Sequence, residues 1–203
     1  GVTYKFCEAV ADSYKQPTVD VPDYCDIVSV SLVSDVCNLT SLENRTYMYY
    51  GLGNINNPFL VFLFNKVCKR KGNTPESIGW NIAPLANALA RSDIQETKTL
   101  FFDALVGNIT PEEALKQMRK VKRLQDETVK SVVEEIEPEL PLNNKVIVGF
   151  TEPENASFTG LICNKFTGKY GKPTILLRDT KHGSWSGSLR SPVPLATKIN
   201  ESG

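Results

Sequence analysis

The sequence has little with which to build a metal cage, a disulfide framework or a membrane anchor. It contains one histidine, His182, so no mechanism needing two histidines is complete within it. Its five cysteines, Cys7, Cys25, Cys37, Cys68 and Cys163, are odd in number and form no C-x-x-C pair. That pattern speaks against a zinc site and against paired disulfides, and points to a reducing cytosol. No apolar run approaches the ~20 residues of a membrane span. The opening Gly1-Val2-Thr3-Tyr4 lacks the pattern of a secretory signal. Sequons at Asn38, Asn44, Asn108 and Asn155 therefore read as chance. There is no internal repeat, no low-complexity tract, no Walker A motif and no G-x-G-x-x-G. Net charge is also missing: 23 basic and 23 acidic residues cancel. The balance excludes a histone-like coat of positive charge but leaves a local basic face open.

What is present is enough for a folded protein. The 203 residues are 41% hydrophobic, which suits one large domain or two small ones. Charge is uneven along the chain. Residues from Gly160 onward carry net +5, and the first 159 carry net −5. The basic part is either ordinary surface scatter or a face that meets an anionic ligand. The absence of an initiator methionine suggests an internal piece of a longer protein.

The first half reads as helical. Val2, Phe6, Ala9 and Val10 have helical spacing, and Pro17 and Pro22 interrupt the next stretch of chain. Residues 24–36 are ambiguous: Ile27, Val28, Val30 and Val33 favour strand, while Asp23 and Asp26 could cap a helix. Either element delivers Asp35 at its C-terminal end. Helices are predicted over Leu42 to Leu52 and from Asn57-Pro58 to the basic run at 69–71. Residues 78–91 read as a short extended piece, then an Ala-rich helical turn opened by Pro84. Ser92 is predicted to cap a helix that Gly107-Asn108 ends. Thr110-Pro111-Glu112-Glu113 is a capping box. Leu115, Met118, Val121, Leu124, Val129, Val132 and Ile136 then form one stripe along a helix running to Pro138, read as a link between two domains. Beyond Pro141, strands at 145–150 and 174–177 flank a helix carrying Phe158, Leu161, Ile162 and Phe166. This is a βαβ unit with parallel strands.

Three groups could carry chemistry. Asp35 places a carboxylate at the end of an apolar element, where it is either a ligand-side residue or a cap. Gly187-Ser188-Leu189-Arg190-Ser191 offers a glycine, two hydroxyls and a guanidinium that could hold a phosphate, or else is a solvated turn. Asn87 and Arg91, four residues apart, share a helical face and suit a ligand contact or a structural cap. Trp185 could stack on a base. Lys116, Arg119, Lys120, Lys122 and Arg123 read as a solvated face.

In order, these segments resemble the RecJ family of single-stranded-DNA exonucleases in the DHH phosphoesterase superfamily. Gly1-Val-Thr-Tyr-Lys5 is similar to the family's GVAFK helix. Asp26-Ile-Val-Ser-Val-Ser-Leu-Val-Ser-Asp35-Val resembles DLVALGTVADV. Glu43-Asn-Arg45 with Gly51-Leu52 resembles NR…GL, and Ile82 to Arg91 resembles IAPRINAAGR. Gly160 to Lys165 with Tyr170 to Pro173 resembles GIVASRL…YxRPVIVL, and Gly187 to Ser191 matches GSxRS. Leu85, Ala90 and Asn155-Ala-Ser157 depart from the family's Arg, Gly and HPG.

The resemblance implies an α/β fold in three parts. Residues 1–108 would be the helix-rich end of a DHH catalytic domain, 109–140 a connecting helix, and 141–203 the βαβ-containing start of a DHH-associated domain. It favours helix over strand for 24–34. It implies metal-dependent hydrolysis of single-stranded DNA from 5′ to 3′ with Mn²⁺ or Mg²⁺. Asp35 would be a metal ligand. Asn87, Arg91, Gly187, Ser188, Arg190 and Ser191 would contact the nucleic acid. The family's DHH signature and other aspartates are not in this sequence, so the piece alone is expected to be inactive. A phosphodiesterase for short or cyclic nucleotides, or a non-catalytic nucleic-acid-binding protein, are the alternatives. A cytoplasmic location and no membrane partner are expected.

Overall fold

A computed structural model describes residues 1–14, 21–68, 72–180 and 183–193. Pro17, the basic run at 69–71, Lys181, His182 and Lys198 lie outside the described residues. The chain divides into two units, residues 1–122 and 123–203. No helix among the described residues is long and apolar enough to cross a membrane.

The first unit is all helical. It contains α1 (Val2–Ser13), α2 (Cys25–Ser34), α3 (Leu42–Gly53), α4 (Pro58–Val67), α5 (Pro75–Ser77), α6 (Ala83–Ala90) and α7 (Gln95–Leu105), then enters α8 (Pro111–Ile136). The ambiguity over residues 24–36 resolves as helix because the segment is buried on most sides. Cys25, Val28, Val30 and Leu32 are all in the core, so the β-branched residues are selected by packing and not by a pleat. Asp26 does not form the local cap that its spacing suggested. It is buried and accepts from the amides of Ile27 at 2.7 Å, Asn56 at 3.0 Å and Asn57 at 2.8 Å. It therefore ties the start of α2 to the turn that begins α4. That turn matches its sequence signal, with Asn57 Oδ1 accepting from the Phe59 and Leu60 amides and Pro58 opening the helix.

Residues 78–82 are not extended: Ile78–Ile82 forms a turn of π-helix between α5 and α6. The Ala83 amide donates to Ile78 O, five residues back. Pro84 is the cause, because it has no N–H and its ring would strike the carbonyl four residues earlier; the wider turn relieves both problems. Ser92 does not cap α7 directly. Its hydroxyl accepts from the Ile94 amide at 3.2 Å and shapes the approach to the helix.

The apolar spacing of α1 is helical, yet Val2 and Phe6 point to solvent and the side chain buried there is Tyr4. In α8, Thr110 Oγ1 accepts from the Glu113 amide at 3.4 Å, the first half of the predicted capping box. The Glu113 carboxylate turns instead to Gln117 and Lys116. The stripe of α8 is buried near each end, at Leu115 and Met118 in the first core and at Val129 and Ile136 in the second. Leu124 lies exposed between those stretches.

The second unit is a mixed three-stranded sheet carrying one helix. Strands β1 (Ile147–Phe150), β2 (Thr174–Asp179) and β3 (Trp185–Arg190) lie in the order β1-β2-β3. β1 and β2 are parallel, joined through α9 (Thr159–Tyr170), and β2 and β3 are antiparallel. The predicted βαβ unit is therefore present. Ile147, Leu176, Ile162, Cys163 and Phe166 form the core between sheet and helix. Glu137 fastens the C-terminal end of α9, accepting from Lys169 Nζ at 2.5 Å and from the Tyr170 hydroxyl. Those two hydrogen bonds, Lys169 first, hold its carboxyl below the usual range.

Candidate functional site

In the first unit the candidate residues gather at the C-terminal end of α2. The Asp35 carboxylate is exposed, with no hydrogen bond or ion pair among the described residues. A negative charge at a helix C-terminus opposes the helix dipole, so Asp35 costs a few tenths of a kcal/mol or more and caps nothing. The backbone behind it is strained. Val36, a β-branched residue, has φ +53° where helix ends normally place glycine or asparagine. The turn is a Schellman motif, with the Cys37 amide donating to Leu32 O at 2.9 Å and the Val36 amide to Val33 O at 3.1 Å. A left-handed valine costs roughly 1–3 kcal/mol, and such strain is typical of functional sites.

Asn87 and Arg91 both have partners here. Asn87 Nδ2 donates to Ser34 O at 3.2 Å and so caps α2. Arg91 Nη1 donates to Asn87 O at 3.2 Å, closing α6. The structural-cap alternative is thus realised for both, and it links them in a polar chain to the residue preceding Asp35. Ser34 itself was missed in the sequence. Its hydroxyl is the one buried side-chain polar atom without a hydrogen-bond partner among the described residues. It stands where the RecJ-type segment has alanine. Ser34→Ala should therefore stabilise the fold by about 1 kcal/mol, read as a higher urea midpoint of unfolding. A fall in the midpoint would mean that the hydroxyl is bonded in the folded chain.

In the second unit the segment 187–191 is not a loop: Gly187, Ser188 and Arg190 lie on β3. The reason is Gly187. A Cβ there would sit 2.0 Å from Leu176 O, so the glycine allows β3 to approach β2. Ser191 follows the strand and its hydroxyl accepts from the Val193 amide at 3.3 Å, a local turn contact. Trp185 packs edge-on against Phe150, with ring centroids 5.2 Å apart.

Strand alternation puts Ser188 and Arg190 on one face of β3, about 7 Å apart along the chain. That face carries α9. A Cβ on Gly160, in the first turn of α9, would lie 2.9 Å from Arg190 Nη2 and 3.6 Å from Ser188 Oγ. A guanidinium, a hydroxyl and a helix N-terminus therefore meet over a residue with no side chain. All three favour an anion. Arg190 Nη1 donates to Leu189 O at 2.8 Å, which fixes the fork. Beneath it the buried Cys163 thiol lies 3.0 Å from Thr174 O and 3.4 Å from Ser188 O, and burial pushes its pKa up. Gly160 was visible in the sequence only as part of a family segment; its closeness to Arg190 joins residues 30 apart.

No family model matches the chain. It is 28% identical to an SPbeta prophage-derived single-strand DNA-specific exonuclease, YorK, of Bacillus subtilis (strain 168), over 94% of this chain and 37% of the relative. The corresponding protein of Bacillus phage SPbeta matches to the same extent. The fold matches RecJ of Thermus thermophilus in complex with Mn²⁺ at a TM-score of 0.73, with 18% identity over 95% of this chain and 30% of that one. An exonuclease RecJ bound to manganese matches at 0.68, with 17% identity over 98% and 50%. Through almost all its length the chain thus shares the fold of part of RecJ and resembles in sequence part of a single-strand DNA-specific exonuclease. It spans just over a third of the length of the curated relatives it matches.

Proposed function

We propose that this chain is a region of a RecJ-like single-strand DNA exonuclease, one that grips the phosphates of the strand and supplies one carboxylate to a two-metal centre. The observation that carries the reading is Arg190 with Ser188 beside the first turn of α9, over Gly160. Residues 1–108 would belong to a DHH catalytic domain, 109–140 to a connecting helix and 141–203 to a DHH-associated domain. Ser188 and Arg190 hold a phosphate of the strand. Asn87 and Arg91 line the approach beside Asp35, and Gly187 and Ser191 set the strand and turn that present the phosphate grip.

Mn²⁺ or Mg²⁺ is the cofactor proposed for the whole enzyme. Asp35 suits one ligand position: an exposed carboxylate on a strained, fixed backbone. The described residues bring no three His, Cys, Asp or Glu together, so they do not complete such a centre. When bound, the ions would neutralise phosphate charge and activate water. This chain's residues bind and orient the strand; no hydrolytic step is assigned to them alone. Gripping the 5′-terminal phosphate would give hydrolysis the 5′-to-3′ direction.

The test is a nuclease and binding assay on residues 1–203 with 5′-phosphorylated single-stranded oligonucleotides and Mn²⁺. Binding without release of nucleotides is expected. Metal-dependent turnover above a mock preparation, removed by Asp35→Ala, would contradict the incomplete metal set. Absence of any binding would contradict the DNA reading.

A further inference from the structure

Trp80 is one of two tryptophans in the chain, and 74% of it is exposed. Leaving a large indole in water forgoes much apolar burial. Its surroundings are rigid. It lies in the middle of the π-helical turn, between Ile78 and Ile82, both fully buried. Gly79 beside it abuts α2, where an added Cβ would lie 3.6 Å from Val33 Cγ1. Val33 is two residues before Asp35. Asn81 Nδ2 donates to Ser77 O at 3.0 Å, further fixing the turn. With the backbone pinned on both sides, only two side-chain torsions remain to be ordered, so a contact made by the ring costs little entropy.

We propose that Trp80 is a stacking platform for an unpaired base of a nucleic-acid strand passing the end of α2. The inference rests on the reading of the chain as a binder of single-stranded DNA, and it adds a cause of strand selectivity. Every base has a π-face, so stacking is tolerant of sequence. In a duplex those faces are already covered by neighbouring bases. An exposed, fixed indole thus rewards a single strand and gains nothing from a duplex. The π-turn produces the platform, because it widens the helix where Pro84 forces it and leaves position 80 pointing outward. π-turns recur at functional sites for this kind of reason.

The experiment uses residues 1–203 carrying Trp185→Phe, which leaves Trp80 as the only tryptophan. Binding of a 5′-phosphorylated, 3′-labelled oligothymidylate is followed by anisotropy, and tryptophan emission is read in the same titration. Emission should change in step with occupancy. Trp80→Leu, at an exposed position that does not threaten folding, should weaken single-strand binding about 5- to 150-fold. Trp80→Phe should restore most of it, and affinity for a duplex should be the same in all three. Full occupancy with unchanged emission, or Trp80→Leu binding like its parent, would overturn the platform while leaving the DNA reading intact. No anisotropy change with any oligonucleotide would overturn both.

Discussion

Gly51→Ala is expected to destabilise the first unit by roughly 3 kcal/mol, the upper end of the overpacking range. At an ordinary helical position the same change stabilises, because alanine loses less backbone entropy than glycine. At Gly51 the sign reverses. A Cβ there would lie 2.1 Å from Cys25 O and 2.2 Å from Ser29 Oγ. The first neighbour is backbone and cannot rotate away. The second is a fully buried hydroxyl already donating to Tyr47 O at 3.0 Å. Either α3 withdraws from α2, opening voids around Tyr47 and Met48, or the Ser29 bond breaks inside the core. Gly168→Ala is the control: it is exposed in the last turn of α9 with nothing within 4 Å of the added carbon. It should stabilise by about 0.5–1 kcal/mol. Urea unfolding followed by circular dichroism reads both. Equal midpoints for the two variants would mean that α2 and α3 do not approach as closely as described.

Arg190→Ala should weaken binding of 5′-phosphorylated single-stranded DNA by about 10- to 150-fold. A hydrogen bond to a charged partner is worth roughly 1.5–3 kcal/mol, and each 1.4 kcal/mol is a factor of ten. The loss should be similar for different base sequences, because a phosphate contact positions without specifying. Ser188→Ala should lose less, as a neutral donor is weaker. Arg190 is exposed and its own hydrogen bond is to the adjacent carbonyl of Leu189, so removing it leaves no buried group unpaired. A fall in affinity would then report the ligand contact and not a damaged fold. A titration of each variant with the same oligonucleotide, monitored by anisotropy, measures the effect. Affinity unchanged in Arg190→Ala would make the position a solvated strand end.

The sequence was most legible where structure is made by neighbours in the chain. Asn57-Pro58 and Thr110 to Glu113 announce their helices because caps are built from residues two and three apart. The βαβ unit was legible because apolar runs of strand length flank a helical stripe. Legibility failed where the partner is remote. Asp26 looked like a local cap, but two of its three donors lie in the turn at 56–57. Gly187 looked like a ligand-facing glycine, but its reason is Leu176 O on the neighbouring strand. The extended reading of 78–82 failed because the effect of Pro84 runs backward along the chain, and helix propensity alone does not show a π-turn. At the candidate site, Asp35, Ser188 and Arg190 were picked out by type and order. The strain at Val36, the orphaned hydroxyl of Ser34 and the place of Gly160 under Arg190 needed three dimensions.

A phosphate held by Arg190 shows itself in the salt dependence of binding. Each phosphate neutralised on a single strand adds about −0.7 to the slope of log affinity against log salt. Titrations of one 5′-phosphorylated oligonucleotide at several salt concentrations, with the parent chain and Arg190→Ala side by side, give two lines. With a phosphate on Arg190, the variant's line is lower and shallower by about 0.7, the two converging as salt rises. Two parallel lines of equal affinity would contradict it.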